Sequence, residues 1–311
     1  MIVAAGLSPA WQQIMRFEHF ESGEVNRAAE VQWCASGKVL NVGVALASLG
    51  ANVEVISSIG GLTGEQIRQD FVKLGVPATW IEVAVPTRVC TTLLDATRKQ
   101  VTELVENAGP ITADELTSFQ TAYTATIEKK TSDRAMVAVL SGSLPAGAPP
   151  TLFRELLDRT RCPAVLDIRG PELWEALACQ PLLVKPNREE LGRTVGRELS
   201  GDQDVRQAIA ELHARGARWV AITQGAEPLW VSGPDGEFRL QPSKVTQVNP
   251  IGAGDCFAAG TAWGLAAGEP MLESLRLGMA AAAENVAQLL PARLDSEAVR
   301  RRAATITIHH V

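Results

Sequence analysis

The run Asn249-Pro250-Ile251-Gly252-Ala253-Gly254-Asp255-Cys256-Phe257 opens a small-residue helical pattern, Gly252 to Leu265, and is the stretch best suited to chemistry. Gly252 and Gly254 permit backbone conformations closed to other residues, and a helix N-terminus carries free N–H groups. Together they make a site for developing negative charge. The amides of Ala253 and Gly254 would steady that charge while Asp255, in the first turn, accepts a proton from a hydroxyl. The same spacing also fits a plain tight turn in which Asp255 is a helix-start charge, worth a few tenths to about 1 kcal/mol through the dipole.

Other chemistries find less support. There is no G-x-x-x-x-G-K-[ST] motif and no G-x-G-x-x-G after a first strand, which disfavours a Walker-type NTPase and a dinucleotide oxidoreductase. The four histidines are scattered, with no His-Cys-carboxylate cluster at metal spacing, so no zinc site is expected. Cys34, Cys90, Cys162, Cys179 and Cys256 lie far apart without a CxxC pair, so a reducing cytoplasm is expected and a disulfide framework is not.

These residues sit in a chain of 311 residues, 46% hydrophobic and 21% charged, which suits a soluble globular enzyme. Its net charge of -6 gives no global field to attract nucleic acid or an anionic membrane, so any anionic ligand must be held locally. The N-terminal run has no basic start, and the longest apolar stretch, near Cys256 to Gly268, falls short of the roughly 18 residues of a membrane helix. Neither export nor membrane insertion is expected.

Short apolar runs that suit buried parallel strands recur at Ile2 to Leu7, Val53 to Ile59, Met136 to Ser141, Ala164 to Ile168, Leu182 to Lys185, Trp219 to Thr223 and Leu229 to Ser232. Between them lie helical patterns at about Lys38 to Leu49, Gly64 to Leu74, Ala113 to Lys129, Thr151 to Thr160, Asp204 to Arg215, Gly252 to Leu265 and Met271 to Leu289. The alternation predicts one α/β domain over residues 1–311, with a doubly wound, mostly parallel sheet flanked by helices. Ligands of such sheets sit at the carboxyl ends of the strands, which directs attention to Ser8, Ser141, Ser143, Asp167, Lys185, Asn187 and Gln224. Two segments, about 9–34 and 81–107, break the rhythm, and Arg88 to Asp95 with Val101 to Val105 reads as a hairpin. They are expected to pair into a small β lid that excludes water during group transfer, the alternative being two unrelated surface loops.

The late glycine turn, taken with Ser36-Gly37-Lys38-Val39-Leu40-Asn41-Val42, resembles the PfkB group of ribokinase-like sugar kinases. Matches continue at Gly23 to Arg27, Gly60 to Gly64, Thr87-Arg88, Gly109-Pro110, Ser141 to Pro145 and Lys185-Pro186-Asn187-Arg188-Glu189-Glu190. The combination is most similar to the branch containing 1-phosphofructokinase and tagatose-6-phosphate kinase. The resemblance implies an ATP- and Mg2+-dependent transfer of the γ-phosphoryl group to a hydroxyl of a phosphorylated ketohexose. It makes Asp255 the catalytic base, and Gly252, Ala253 and Gly254 the anion hole. Asn187 and Glu190 would organise magnesium and the nucleotide phosphates, reaching the metal through water. Residues alone would read that pair as a helix cap with its first-turn acid. Lys185, Thr223, Gly225 and Asn285 fall on the nucleotide side, although the alanine run before Asn285 also suits plain helix packing. Gly37, Lys38, Asn41, Arg88 and Ser143 fall on the acceptor side, where Lys38 and Arg88 suit the phosphate already on the substrate.

Several positions depart from the family pattern. Where the branch carries NPAxD, the chain reads Ser8-Pro9-Ala10-Trp11-Gln12, so an amide that donates and accepts replaces the sugar-binding carboxylate. The family GGKG is Ser36-Gly37-Lys38-Val39, and a Ser-Gly pair after the middle strand is Arg169-Gly170. Arg169 is expected either beside the cleft or in solvent. A kinase for an unphosphorylated sugar or nucleoside, or a binding regulator without turnover, are the rival functions. A homodimer formed through the β lid is the expected partner state.

Overall fold

The apolar runs fold as continuous buried strands because each face of the sheet they form is covered. In the computed structural model, which describes residues 1–129 and 136–311, the chain runs β1 (Ile2–Ala5), β2 (Ala10–Phe17), β3 (Glu30–Ser36), α1 (Lys38–Ser48), β4 (Val53–Ile59), α2 (Gly61–Leu74), β5 (Ala78–Glu82). It continues through β6 (Val89–Asp95), β7 (Gln100–Val105), α3 (Ala113–Lys129), β8 (Val137–Ser141), α4 (Leu152–Leu157), β9 (Ala164–Asp167), α5 (Gly170–Ala176). Then follow β10 (Leu183–Val184), α6 (Arg188–Val195), α7 (Asp202–Ala214), β11 (Trp219–Ile222), β12 (Leu229–Gly233) and β13 (Gly236–Gln241). The last elements are α8 (Ala253–Ala266), α9 (Met271–Val286), α10 (Ser296–Ala303) and β14 (Thr307–His310).

The large sheet has the order β14-β13-β12-β11-β10-β9-β8-β1-β4-β5. Pairing is parallel from β11 through β5 and antiparallel from β11 out to β14. Alternation within β1 shows why the strands carry no polar face. Ile2 and Ala4 join a core with Leu40, Phe257 and Leu275, whereas Val3 and Ala5 join one with Phe119, Phe153 and Leu191. Helices α1, α8 and α9 cover one face, and α3, α4, α6 and α7 the other, as expected for a doubly wound sheet.

Sequence periodicity missed the sheet margins. Ala78–Glu82 pairs in parallel with β4, so the start of the segment expected to leave the main sheet, Ile81 and Glu82, belongs to it. Strand β14 at the sheet edge and its neighbour β13 are partly exposed, and their polar residues hide the apolar signal. The short helices α5 and α6 were likewise absent from the periodic reading.

A second sheet of four strands has the order β3-β2-β6-β7. Its β2/β3 and β6/β7 pairs are antiparallel hairpins, joined by a parallel β2/β6 pairing. Ile14, Cys34 and Leu94 are buried beneath it against Leu289 and Leu290, so the sheet is fastened to the chain just beyond α9.

Candidate active site

The starts of α1, α6 and α8 meet the ends of β9 and β10. Gly37 caps α1 at φ +95°, and a Cβ there would stand 2.6 Å from the Ser8 carbonyl oxygen, so glycine is required by both conformation and space. Gly252 caps α8 at φ +79°, where a Cβ would press on Pro291 at 3.1 Å and on Asn41 Nδ2 at 3.3 Å. The two turns bring Lys38 and Asn41 of α1 against Asp255 of α8.

Asp255 is 7% exposed and accepts a 2.7 Å hydrogen bond on Oδ2 from Asn41 Nδ2. Burial raises its carboxyl to about 6, with the Asp167 charge adding to the rise, while Lys38, Asn41 and Lys185 oppose it. A carboxylate so tuned can accept a proton near neutral pH. The amide of Ala253 does not serve an anion as expected, because it donates to the Pro250 carbonyl at 3.2 Å and closes the turn. The amides of Gly254 and Asp255 have no carbonyl partner among the described residues, so the free donors lie one residue further along.

A chain of charges crosses the strand ends. Lys38 Nζ stands 3.0 Å from Asp167 Oδ1 and 3.1 Å from Glu190 Oε1, and Lys185 Nζ shares the same Asp167 oxygen at 3.0 Å. Burial works against the Asp167 charge, but Lys185 and Lys38 outweigh it and hold the carboxyl below its usual range. Burial likewise opposes the Lys38 charge, and Asp167, Glu190 and Asp255 reverse that, so its ammonium is held above its usual value. A Cβ on Gly254 would lie 3.4 Å from Lys185 Nζ, which places that ammonium beside the free amides. Asp167 Oδ2 is buried with no hydrogen-bond partner.

Asn187 and Glu190 form a reciprocal cap at the start of α6. Asn187 Oδ1 accepts from the Glu190 amide at 2.8 Å, and Glu190 Oε2 accepts from the Asn187 amide at 3.0 Å. Thus the helix-cap reading of this pair is realised, and Glu190 faces the cluster through Oε1 alone. Thr223 lies beside Asn187 across a single parallel bridge, and Gly225 follows it in an exposed turn at φ +63°.

Asn285 departs from expectation. Its Nδ2 donates to the Ile251 carbonyl at 2.8 Å, and its Oδ1 accepts from the Ala292 amide at 2.7 Å. Being 1% exposed, it braces the Gly252 turn and is closed off from solvent. Asn41, expected to meet sugar hydroxyls, instead directs its nitrogen at Asp255 and takes the Ser36 hydroxyl on its oxygen at 3.2 Å.

On the second sheet, Gln12 is buried and donates from Nε2 to Thr92 Oγ1 at 2.9 Å and to the Gln13 carbonyl at 3.3 Å. Both amide hydrogens are committed, so only the carbonyl oxygen remains to meet a ligand. Arg88 donates to the carbonyls of Pro9, Glu106 and Ser8 at 3.2, 3.0 and 3.1 Å, locking β6 to the β1–β2 connection. Ser143 is exposed just beyond β8, and Arg169 is exposed at the cap of α5. Asp167 and Ser36, which received no role from the sequence, both hold the centre. Only the strand-end rule pointed to Asp167, and only the altered glycine motif to Ser36.

The chain is similar to known carbohydrate kinases along most of its length. The profile of the pfkB family of carbohydrate kinases matches residues 8–295. The 1-phosphofructokinase of Escherichia coli K12 is 33% identical over 293 residues, covering 91% of this chain and 89% of that protein. E. coli phosphofructokinase-2, solved in complex with potassium, superposes with a TM-score of 0.87 at 24% identity, covering 97% of this chain and 98% of that one. A solved chain from Thermotoga maritima gives a TM-score of 0.90 at 22% identity, covering 100% and 99%. These two likenesses concern the fold.

Proposed function

The chain belongs to the pfkB family of carbohydrate kinases, phosphotransferases with an alcohol group as acceptor, and from that premise we propose that it transfers the γ-phosphoryl group of ATP to a hydroxyl of a phosphorylated ketohexose. The observation that carries this reading is Asp255, buried at the head of α8 beside two unpartnered amides and within the field of two ammonium groups. The acceptor hydroxyl gives its proton to the Asp255 carboxylate as its oxygen bonds to the γ-phosphorus. The bond from that phosphorus to the bridging oxygen breaks, and ADP carries away the released charge. The amides of Gly254 and Asp255, with Lys185, face the charge on the transferred group.

Magnesium suits the donor set, since Glu190 and the unpartnered Asp167 Oδ2 are hard carboxylate oxygens, and Asn187 positions Glu190. When bound, it would neutralise phosphate charge, with Glu190 reaching it through water. The second sheet supports a lid reading because it is fastened to the body at one end and bears Gln12 on the face that contacts it.

A second reading has its own observation. Lys38 is already paired with two carboxylates and Arg88 with three carbonyls, so the two expected phosphate anchors have internal partners. That arrangement favours an acceptor without phosphate. ADP release with ATP and magnesium, across free and phosphorylated ketohexoses, pentoses and nucleosides, with Asp255→Asn alongside, tests both. Turnover on a phosphorylated ketose that vanishes in the variant supports the first reading. Turnover on a free sugar alone selects the second, and silence across the panel removes both.

A further inference from the structure

Ser36 is the last residue of β3 in the second sheet and is 2% exposed. It donates from Oγ to Asn41 Oδ1 at 3.2 Å, and Asn41 Nδ2 in turn donates to Asp255 Oδ2 at 2.7 Å. We propose that Ser36 is a positioning residue for the reaction, which orients the Asn41 amide so that its N–H group, not its oxygen, faces the Asp255 carboxylate.

The two ends of the Asn41 amide differ in chemistry though hardly in shape. A side-chain amide rotated by half a turn looks alike in shape but exchanges donor for acceptor. With its oxygen toward Asp255, Asn41 would set an acceptor against a buried anion, which costs the unpaired group its desolvation penalty. With its nitrogen toward Asp255, it supplies a charge-assisted hydrogen bond. The carboxylate favours the second orientation, and the Ser36 hydroxyl reinforces it by donating to the far end. Alanine or glycine at position 36 could not do so. Gly252 leaves the space the amide nitrogen needs, since a Cβ at that position would stand 3.3 Å from Nδ2. Asn41 itself is 3% exposed, so no bulk water substitutes for the missing hydroxyl.

The placement gives the relay a further property. Ser36 belongs to the second sheet, pairing with Ala10, whereas Asp255 belongs to the body. The hydroxyl therefore links the position of the sheet to the state of the base. This inference relies on the kinase reading for what Asp255 does, though not for how it is held.

The test uses Ser36→Ala, Ser36→Thr, Asn41→Ala and the Ser36→Ala/Asn41→Ala double variant of the full chain. Two readouts are followed: the pH dependence of kcat, and the titration of the Asp255 carboxyl by 13C NMR without substrate. Asp255 also faces Lys38, Asp167 and Lys185, which stay unchanged in every variant. Losing a donor raises the carboxyl further, so the acid limb of kcat and the NMR midpoint should both move up. We expect about one pH unit in Asn41→Ala and about half a unit in Ser36→Ala. Ser36→Thr, which keeps the hydroxyl, should titrate as the parent does. Because Ser36 acts through Asn41, removing it should change nothing more in the Asn41→Ala background. An unchanged midpoint in Ser36→Ala, or an equal shift in both backgrounds, overturns the relay. If no substrate turns over, the NMR titration alone decides: a shift upholds the relay while the kinase reading falls, and no shift removes the relay.

Discussion

Lys185 Nζ lies 3.0 Å from Asp167 Oδ1, and both side chains are almost wholly buried. They stand at the ends of neighbouring parallel strands, β9 and β10, whose separation is fixed by the ladder. Lys38 reaches the same oxygen from α1, across 129 residues of sequence. One carboxylate thus fixes the relative position of the two ammonium groups on which an anionic ligand would depend.

Removing that carboxylate leaves Lys185 buried without a counter-charge. Asp167→Ala should lower the unfolding free energy by about 3–5 kcal/mol, the range for breaking a buried pair from one side. Because the folded carboxyl titrates below its ordinary value, its stabilisation is present above about pH 4 and is lost as pH falls through the folded value. The gap between parent and variant in urea unfolding should therefore be wide at pH 7 and narrow towards pH 3. A gap that is small at neutral pH would show that Lys185 does not need the pair.

Asp255 carries the opposite sign. Its folded carboxyl titrates at about 6, above the unfolded value of 3.8, so ionising it opposes folding as pH rises from about 4 to 6. Asp255→Asn should gain up to about 3 kcal/mol of stability at pH 7.5 and nothing at pH 3.5. The same change should lower kcat by about 10² to 10⁴, the usual loss for an acid–base residue. In the parent, kcat should fall as pH drops through about 6, where the base becomes protonated. A variant that is less stable than the parent and nearly as active would contradict both assignments.

The sequence reading was strongest where one face of an element had a single environment. Strands such as Val137–Ser141, buried on both sides, and the glycine turn before Asp255 were legible because sterics alone restrict them. Partner choice was not. Nothing in the spacing of Lys38 reveals that Asp167 and Glu190 lie within 3.1 Å of it, since those contacts depend on how three strand ends converge. Asn285 failed for a related reason: an asparagine after an alanine run fits a pocket wall or a turn brace equally well, and only the Ile251 and Ala292 backbone distinguishes them. Strand β13 and the edge strand β14 were missed because a partly exposed strand needs few apolar residues.

Gln12 offers a test of acceptor chemistry. With both amide hydrogens held by Thr92 and Gln13, it presents a lone carbonyl oxygen, which does for a sugar hydroxyl what a carboxylate oxygen would do. Gln12→Asp should then keep the sugar KM within about threefold, while Gln12→Ala should raise it about tenfold with kcat little changed. Initial-rate measurements on the best acceptor separate these outcomes. A steep KM rise in Gln12→Asp would show that the amide donates to the substrate.

The outward face of the second sheet carries Val31 at 43%, Trp33 at 44% and Leu104 at 55% exposure, with Trp11 stacked on Trp33 at 6.0 Å. A large apolar surface of this kind suits a copy of itself. We expect a dimer by sedimentation velocity at micromolar concentration and a monomer after Trp33→Glu. A parent that sediments as a monomer would remove this interface.

Lys38 and Arg88 decide which acceptor the site is built for. If the substrate brings its own phosphate, that group must draw Lys38 from Asp167 and Glu190 while the two carboxylates keep Lys185 and the α6 cap for company. Lys38→Ala should then raise the acceptor KM at least about tenfold, because a charge-assisted contact to phosphate is lost, and should leave the ATP KM nearly unchanged. Arg88 keeps two N–H groups after its three carbonyl bonds, so Arg88→Lys, which cannot reproduce the fork, should act in the same direction and also lower stability. For an acceptor without phosphate, neither substitution should move KM much, and Lys38→Ala should act on kcat through the unbalanced charge near Asp255. The KM-to-kcat split in these two variants, measured on one acceptor pair differing only in the phosphate, assigns the role.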